Sequence, residues 1–212
     1  DHREQFDTWS DAAASPSHSG NDRLLGPSQY FDDDTLHGYR DTTRQWMQRC
    51  EGVSEDLLEA LSLALDLPPG TLSERFGVAC ERQSLIKYIH YPTTPAGGQG
   101  VGLHQDSLFL TLLAPGEEGG LEVQLPSGEM VPVDRKDGSF VVNLGDVLTL
   151  ITGGYFVATP HRVVAKRDRL SVAFFYGPTL STQLSPLPLP PRLLQAVQDS
   201  ERHRTAGVMP RA

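Results

Sequence analysis

Hydrophobic and polar positions divide this chain into three stretches of different period. Residues 1 to about 30 show no apolar rhythm, and DAAASPSHSGND from Asp11 to Asp22 has the composition of a connector. Residues 1–32 are therefore expected to form a flexible N-terminal connection. From Asp33 onward Leu36, Tyr39, Trp46 and Met47 recur at roughly helical spacing. A second helix is predicted at SEDLLEALSLALDL, opened by Ser54, Glu55 and Asp56 and stopped by Pro68-Pro69-Gly70.

After Phe76 the pattern shortens to β-type units. These are SLIKYIHY (84–91), HQDSLFLTLLA (104–114), LEVQLP (121–126), EMVPVD (129–134), SFVVNL (139–144), VLTLIT (147–152), HRVVAK (161–166) and LSVAFFYG (170–177). Pro126-Ser127-Gly128 and Lys136-Asp137-Gly138 are turn chemistry. Many short strands with brief connections predict an antiparallel sandwich or barrel, and a double-sheet jelly roll is one way of removing its open edges. SPLPLPP (185–191) reads as a stiff connector, and RLLQAVQDSERHR as a short terminal helix.

Composition narrows the class. The chain has 212 residues, 38% apolar and 21% charged, which suits one globular domain with a sizeable core. A net charge of -9 argues against nucleic acid or an anionic membrane surface as the main partner, since both need a basic face. No apolar run reaches the roughly 18 residues of a spanning helix. Cys50 and Cys80 lie outside any metal-type spacing and are expected to be thiols in a reducing compartment, the cytoplasm. The chain opens on Asp1 with no secretory apolar region behind it, which fits a processed chain, a fragment or an excised domain.

Four residue types in this pattern suggest chemistry. If 104–114 is one strand, His104 and Asp106 share a face, because side chains at i and i+2 point the same way. Taken alone the pair is common. His161 opens another strand, and two imidazoles with one carboxylate make the facial triad of non-haem Fe(II) oxygenases. Zinc would accept the same ligands, although no HExxH motif accompanies them. Arg169 and Ser171 likewise share a face, and a guanidinium fork beside a hydroxyl suits a carboxylate. His90 falls on the face opposite Tyr91 and is expected to be packed or at the surface; His2, His18, His37 and His203 suggest no role.

GLHQD, VVNLGDVLTLITGGYFVATPHRVV and RLSVAFF, with YIHYP, LTLL, GGLEV and NLGD in order, resemble the iron- and 2-oxoglutarate-dependent dioxygenases of the isopenicillin N synthase-like superfamily. The resemblance implies a mainly β fold with flanking helices, a double-stranded β-helix (jelly roll, cupin-like), over residues 33–186. Two helices would lead it, and 187–212 would form a C-terminal tail with a short helix. It implies Fe(II) on His104, Asp106 and His161, 2-oxoglutarate held by Arg169, Ser171 and Tyr91, dioxygen as oxidant, and Phe175 at the substrate cavity. Its expected partner is a small-molecule substrate. Such an enzyme couples oxidation of an unactivated C–H bond to conversion of 2-oxoglutarate into succinate and carbon dioxide. Isopenicillin N synthase-type members instead use the Arg and Ser on a substrate carboxylate, and a noncatalytic binding module is a third reading. Ile89-His90-Tyr91-Pro92 replaces the Asn-Tyr-Tyr-Pro of many plant members, and Thr152-Gly153-Gly154 replaces their Thr-Asn-Gly. Family members usually carry roughly a further hundred residues ahead of this region.

Overall fold

A computed structural model describes residues 1–10, 26–93 and 98–199, the Cys80 side chain aside. Its elements run β1 (Glu4–Trp9), α1 (Tyr39–Ala64), α2 (Thr71–Arg75), β2 (Gln83–Tyr91), β3 (Gln99–His104), β4 (Leu110–Pro115), β5 (Leu121–Gln124), β6 (Met130–Pro132), β7 (Val141–Leu144), α3 (Asp146–Ile151), β8 (His161–Val164), β9 (Arg169–Gly177) and α4 (Pro191–Asp199). Two antiparallel sheets form, one ordered β1-β2-β9-β4-β7 and the other β3-β8-β5-β6. Facing one another, they make the expected jelly roll.

The five-stranded sheet is covered on both faces, which is why β2 and β9 read as nearly continuous apolar runs. Ile86, Leu110, Leu112, Phe174 and Tyr176 share an outer core with Met47, Cys50 and Leu58 of α1. Ile89, Tyr91, Leu113 and Ala173 turn inward to meet Val101, Leu121 and Val163 of the smaller sheet. Each fully buried Leu or Phe stabilises the fold by roughly 1.5–3 kcal/mol. Leu187, Leu189 and Leu193 join the outer core and Val197 is buried as well, so the connector and α4 dock rather than trail away. The free Cys50 thiol is buried, and desolvation pushes its pKa up to about 12. No helix among the described residues is long and apolar enough to cross a membrane.

Four expectations change. The helices predicted on either side of Ser54 are one 26-residue helix. Instead of capping a new start, the Ser54 hydroxyl donates to the Cys50 carbonyl at 2.8 Å, and Ser62 repeats the bond to Leu58 at 2.9 Å. Thr43, Met47, Cys50, Ser54, Leu58 and Ser62 then form one buried stripe. Second, VLTLIT is helical. Val147, Leu148 and Ile151 face the core at helical spacing, and Gly153 and Gly154 (φ 59° and 87°) end the turn. Asn also tolerates that left-handed backbone, so the Thr-Gly-Gly and Thr-Asn-Gly variants serve the same stop. Third, the 104–114 run is two strands in different sheets, with a crossing at 105–109. Fourth, the stretch read as a flexible connection contains β1, paired with β2 from Glu4↔His90 to Trp9↔Leu85. The connector-like segment 11–22 lies outside the described residues.

His90 fastens that edge strand. Its Nδ1 lies 3.0 Å from Glu4 and its Nε2 2.9 Å from Asp168, so one ring ties β1 to the turn before β9. These two carboxylates, Glu4 foremost, hold the imidazolium pKa above its ordinary value. A group whose folded pKa is raised stabilises fully below its unfolded value, about 6.5, and loses that contribution as pH rises through the folded value. Amide exchange of β1 is therefore expected to quicken across that window. An Asp168→Asn variant should move the midpoint down, and an unchanged NMR titration midpoint would dismiss the clamp.

Candidate metal centre and the cavity behind it

β3 ends at His104 and β8 begins at His161, and the two residues are register partners. Their ring centroids lie 4.3 Å apart. Each Nδ1 faces a main-chain carbonyl two residues back, Gly102 at 2.9 Å and Thr159 at 3.0 Å. Carbonyls only accept, so each Nδ1 is the donor, and in the neutral ring each Nε2 is the nitrogen left with a lone pair. Both Nε2 atoms lie 3.7 Å from Asp106 Oδ1. One ligand atom from each of the three falls within 4.8 Å of the others.

Asp106 reaches this point from the crossing between sheets, not from a strand face. The Thr111 hydroxyl donates to its Oδ2 at 2.7 Å, leaving Oδ1 to face the imidazoles. The Asp146 N–H donates to the Asp106 carbonyl at 2.8 Å, and Gln105 Nε2 donates to the Ala158 carbonyl. Gly145 lets the crossing lie flat against α3: a Cβ there would stand 1.9 Å from the Leu108 carbonyl oxygen and 3.0 Å from that of Asp106. Burial, then the Asp106 charge, holds the Asp146 carboxyl above the usual range. Asp106 and His161 are each 6% exposed, whereas His104 opens toward solvent.

Behind the cluster, a cavity of about 370 Å³ runs between the sheets. At its far end Tyr91 and Arg169 are register partners on β2 and β9, with Ser171 one inward position along. All three are buried. The Arg169 guanidinium carbon stands 4.8 Å over the Tyr91 ring, and Nη1 donates to Ser171 Oγ at 3.4 Å. Nε is buried without a hydrogen-bond partner, and no carboxylate pairs with this side chain among the described residues. Burial pushes the guanidinium below its ordinary pKa, against a smaller opposing effect of Tyr91. A desolvated cation left in this condition is costly until an anion joins it.

The seven residues singled out from sequence thus line one cavity, Phe175 included. Thr111, Gln105 and Gly145 were not foreseen. Thr111 had a readable signal, a lone hydroxyl within the apolar run LFLTLL; Gln105 and Gly145 act through contacts made only when α3 folds against the crossing. Thr111→Val is expected to lower metal affinity about 10- to 100-fold, the usual range for a partner behind a ligand. Thr111→Ser should restore it, and calorimetry showing both variants equal to the parent would remove Thr111 from the site.

A jelly roll carrying two imidazoles and a carboxylate on one side of an inter-sheet cavity, and an unpaired buried arginine on the other, is built for a metal and an anion together. Residues 80–178 match the 2OG-Fe(II) oxygenase superfamily model, and the chain belongs to that superfamily. It is 37% identical over 150 residues to a 2-oxoglutarate-dependent dioxygenase of Gibberella zeae, covering 68% of this chain and 39% of the relative. With 2-oxoglutarate-dependent dioxygenase ecdK of Aspergillus rugulosus the identity is 35% over 195 residues, 76% of this chain and 58% of the relative. The crystal structure of the rice dioxygenase for auxin oxidation superposes with a TM-score of 0.65 at 30% identity, over 90% of this chain and 60% of that one. The chain spans about half the length of the curated relatives it matches. Fe(II) and 2-oxoglutarate are the cofactors of this superfamily. The ligand set suits the first, and the orphaned Arg169 Nε suits a carboxylate of the second.

Proposed function

We propose that this chain is the catalytic core of an Fe(II)- and 2-oxoglutarate-dependent dioxygenase that oxidises an unactivated C–H bond of a small molecule in the cytoplasm. Hydroxylation is the default outcome, with desaturation or cyclisation as the alternatives to it. In balance, substrate C–H, dioxygen and 2-oxoglutarate give substrate C–OH, succinate and carbon dioxide. The observation that carries the reading is Arg169, a buried guanidinium with no carboxylate partner among the described residues, in the same cavity as the His104–Asp106–His161 cluster.

His104, Asp106 and His161 are assigned as the metal ligands, Arg169, Ser171 and Tyr91 as the cosubstrate clamp, and Phe175 as a substrate-lining residue. Bound iron would supply the dioxygen and electron-transfer chemistry. The chain's own work is placement. Neutral imidazoles are held in the required tautomer by the Gly102 and Thr159 carbonyls, Thr111 aims one Asp106 oxygen, and Arg169 anchors a carboxylate at the dry end. The apolar side chains of Ile89, Val101, Leu113, Leu121 and Val163 line the cavity between these points.

Anaerobic Fe(II) with 2-oxoglutarate is expected to give a visible charge-transfer band, and aerobic turnover to release succinate. Oxidation of a substrate without succinate would instead point to the isopenicillin N synthase-type use of Arg169. Absence of both the band and turnover would leave a binding module.

A further inference from the structure

The inward positions of the five-stranded sheet form a row across its strands. Trp9 pairs with Leu85, Leu85 with Phe175 and Phe175 with Thr111. All four line the cavity, so a shelf of indole, isobutyl and phenyl groups leads from the edge strand to the hydroxyl that holds Asp106. With strands about 4.8 Å apart, three spacings make it roughly 14 Å long. The next row toward Arg169 places Lys87 between Asp7 and the small Ala173.

Lys87 is fixed there. Its Nζ donates to Asp7 Oδ2 at 2.6 Å and stands 5.8 Å from the Phe175 ring centroid. Asp7 sits beside Lys87 on the edge strand and is not among the residues lining the cavity, so the ammonium meets the cavity with one of its hydrogen bonds already made. Among the described lining residues the charged ones are Arg3, Lys87 and Arg169 against Asp106 alone, with Asp7 paired to Lys87 beside them, in a chain of net charge -9. Once Asp106 serves the metal and Arg169 the cosubstrate, the charged side chains left in that described lining, Lys87 and Arg3, are both positive.

We infer that the primary substrate is an apolar carboxylic acid whose body lies on the Trp9–Leu85–Phe175 shelf and whose carboxylate is received by Lys87, with Trp9 and Lys87 as specificity-determining residues. This rests on the proposed assignment of Arg169 to 2-oxoglutarate. An ammonium has three donors, and the Asp7 bond occupies one, so a second carboxylate can bind without breaking the first. The ring contacts of Trp9 and Phe175 contribute in proportion to buried apolar area, whereas the acid group sets orientation.

The test uses the whole chain loaded with Mn(II) and saturating 2-oxoglutarate, which binds without turning over. Tryptophan fluorescence is titrated with 3-phenylpropanoate and with 3-phenylpropanamide, a pair that differs in charge. The acid is expected to bind at least about tenfold more tightly, a difference of about 1.4 kcal/mol. Lys87→Met should bring the acid to the level of the amide and leave the amide unchanged; Trp9→Ala should weaken both together, read by thermal shift. Equal binding of the pair, binding of neither, or an acid preference that survives in Lys87→Met would overturn the inference. The thermal shift produced by 2-oxoglutarate before probe is added reports separately on the cosubstrate clamp. Its loss would sink that assignment, and its presence with a failed acid preference would sink only the substrate class.

Discussion

Asp106→Ala is expected to abolish both the anaerobic charge-transfer band and the stabilisation that a divalent metal confers, with turnover falling at least about 100-fold. Partners behind a ligand already cost 10- to 100-fold when removed, and Asp106 is the only carboxylate in the cluster. The loss is one of binding rather than folding. In the parent, saturating metal at 100 times its Kd raises stability by about 2.7 kcal/mol. In the variant that increment disappears, while the metal-free protein changes little: the substitution strands the Thr111 hydroxyl but also removes a desolvated carboxylate. Thermal melts with and without Mn(II) separate the two effects. A metal-dependent shift that persists in Asp106→Ala would move the metal elsewhere.

The residues of the candidate site were legible in the sequence; the way they meet was not. The HxD spacing suggested strand alternation, which the fold replaces with a crossing between sheets, because β3 pairs with β8 and β4 with β9. What holds Asp106 beside the imidazoles is made only by folding: the Thr111 hydroxyl five residues on, the Asp146 N–H, and the space Gly145 leaves. None of these is a periodicity. Helix α3 was misread for a related reason, since a six-residue apolar run carries no period long enough to tell helix from strand. Arg169, by contrast, was legible together with its neighbours: alternation on a real strand does place it beside Ser171, and the register puts Tyr91 opposite. Its lack of a counter-charge became visible only once the chain was folded around it.

That missing counter-charge leads to the second large effect. Arg169→Met should cut 2-oxoglutarate affinity about 30-fold to a few thousand-fold, because losing one partner of a buried, hydrogen-bonded charge pair costs roughly 2–5 kcal/mol. The same substitution should leave the ligand-free protein as stable as the parent or more so, since it removes a buried cation whose Nε has no partner and fills the space with a flexible apolar chain. Arg169→Lys should fall between, keeping the charge but losing the planar fork that grips both carboxylate oxygens. Paired melts, with and without 2-oxoglutarate, read both quantities on one sample. A structural arginine gives the opposite pattern, a lower melting temperature without ligand and an undiminished shift with it. A ligand-binding one gives up the shift alone, because the energy that Arg169 contributes is released only when a carboxylate arrives.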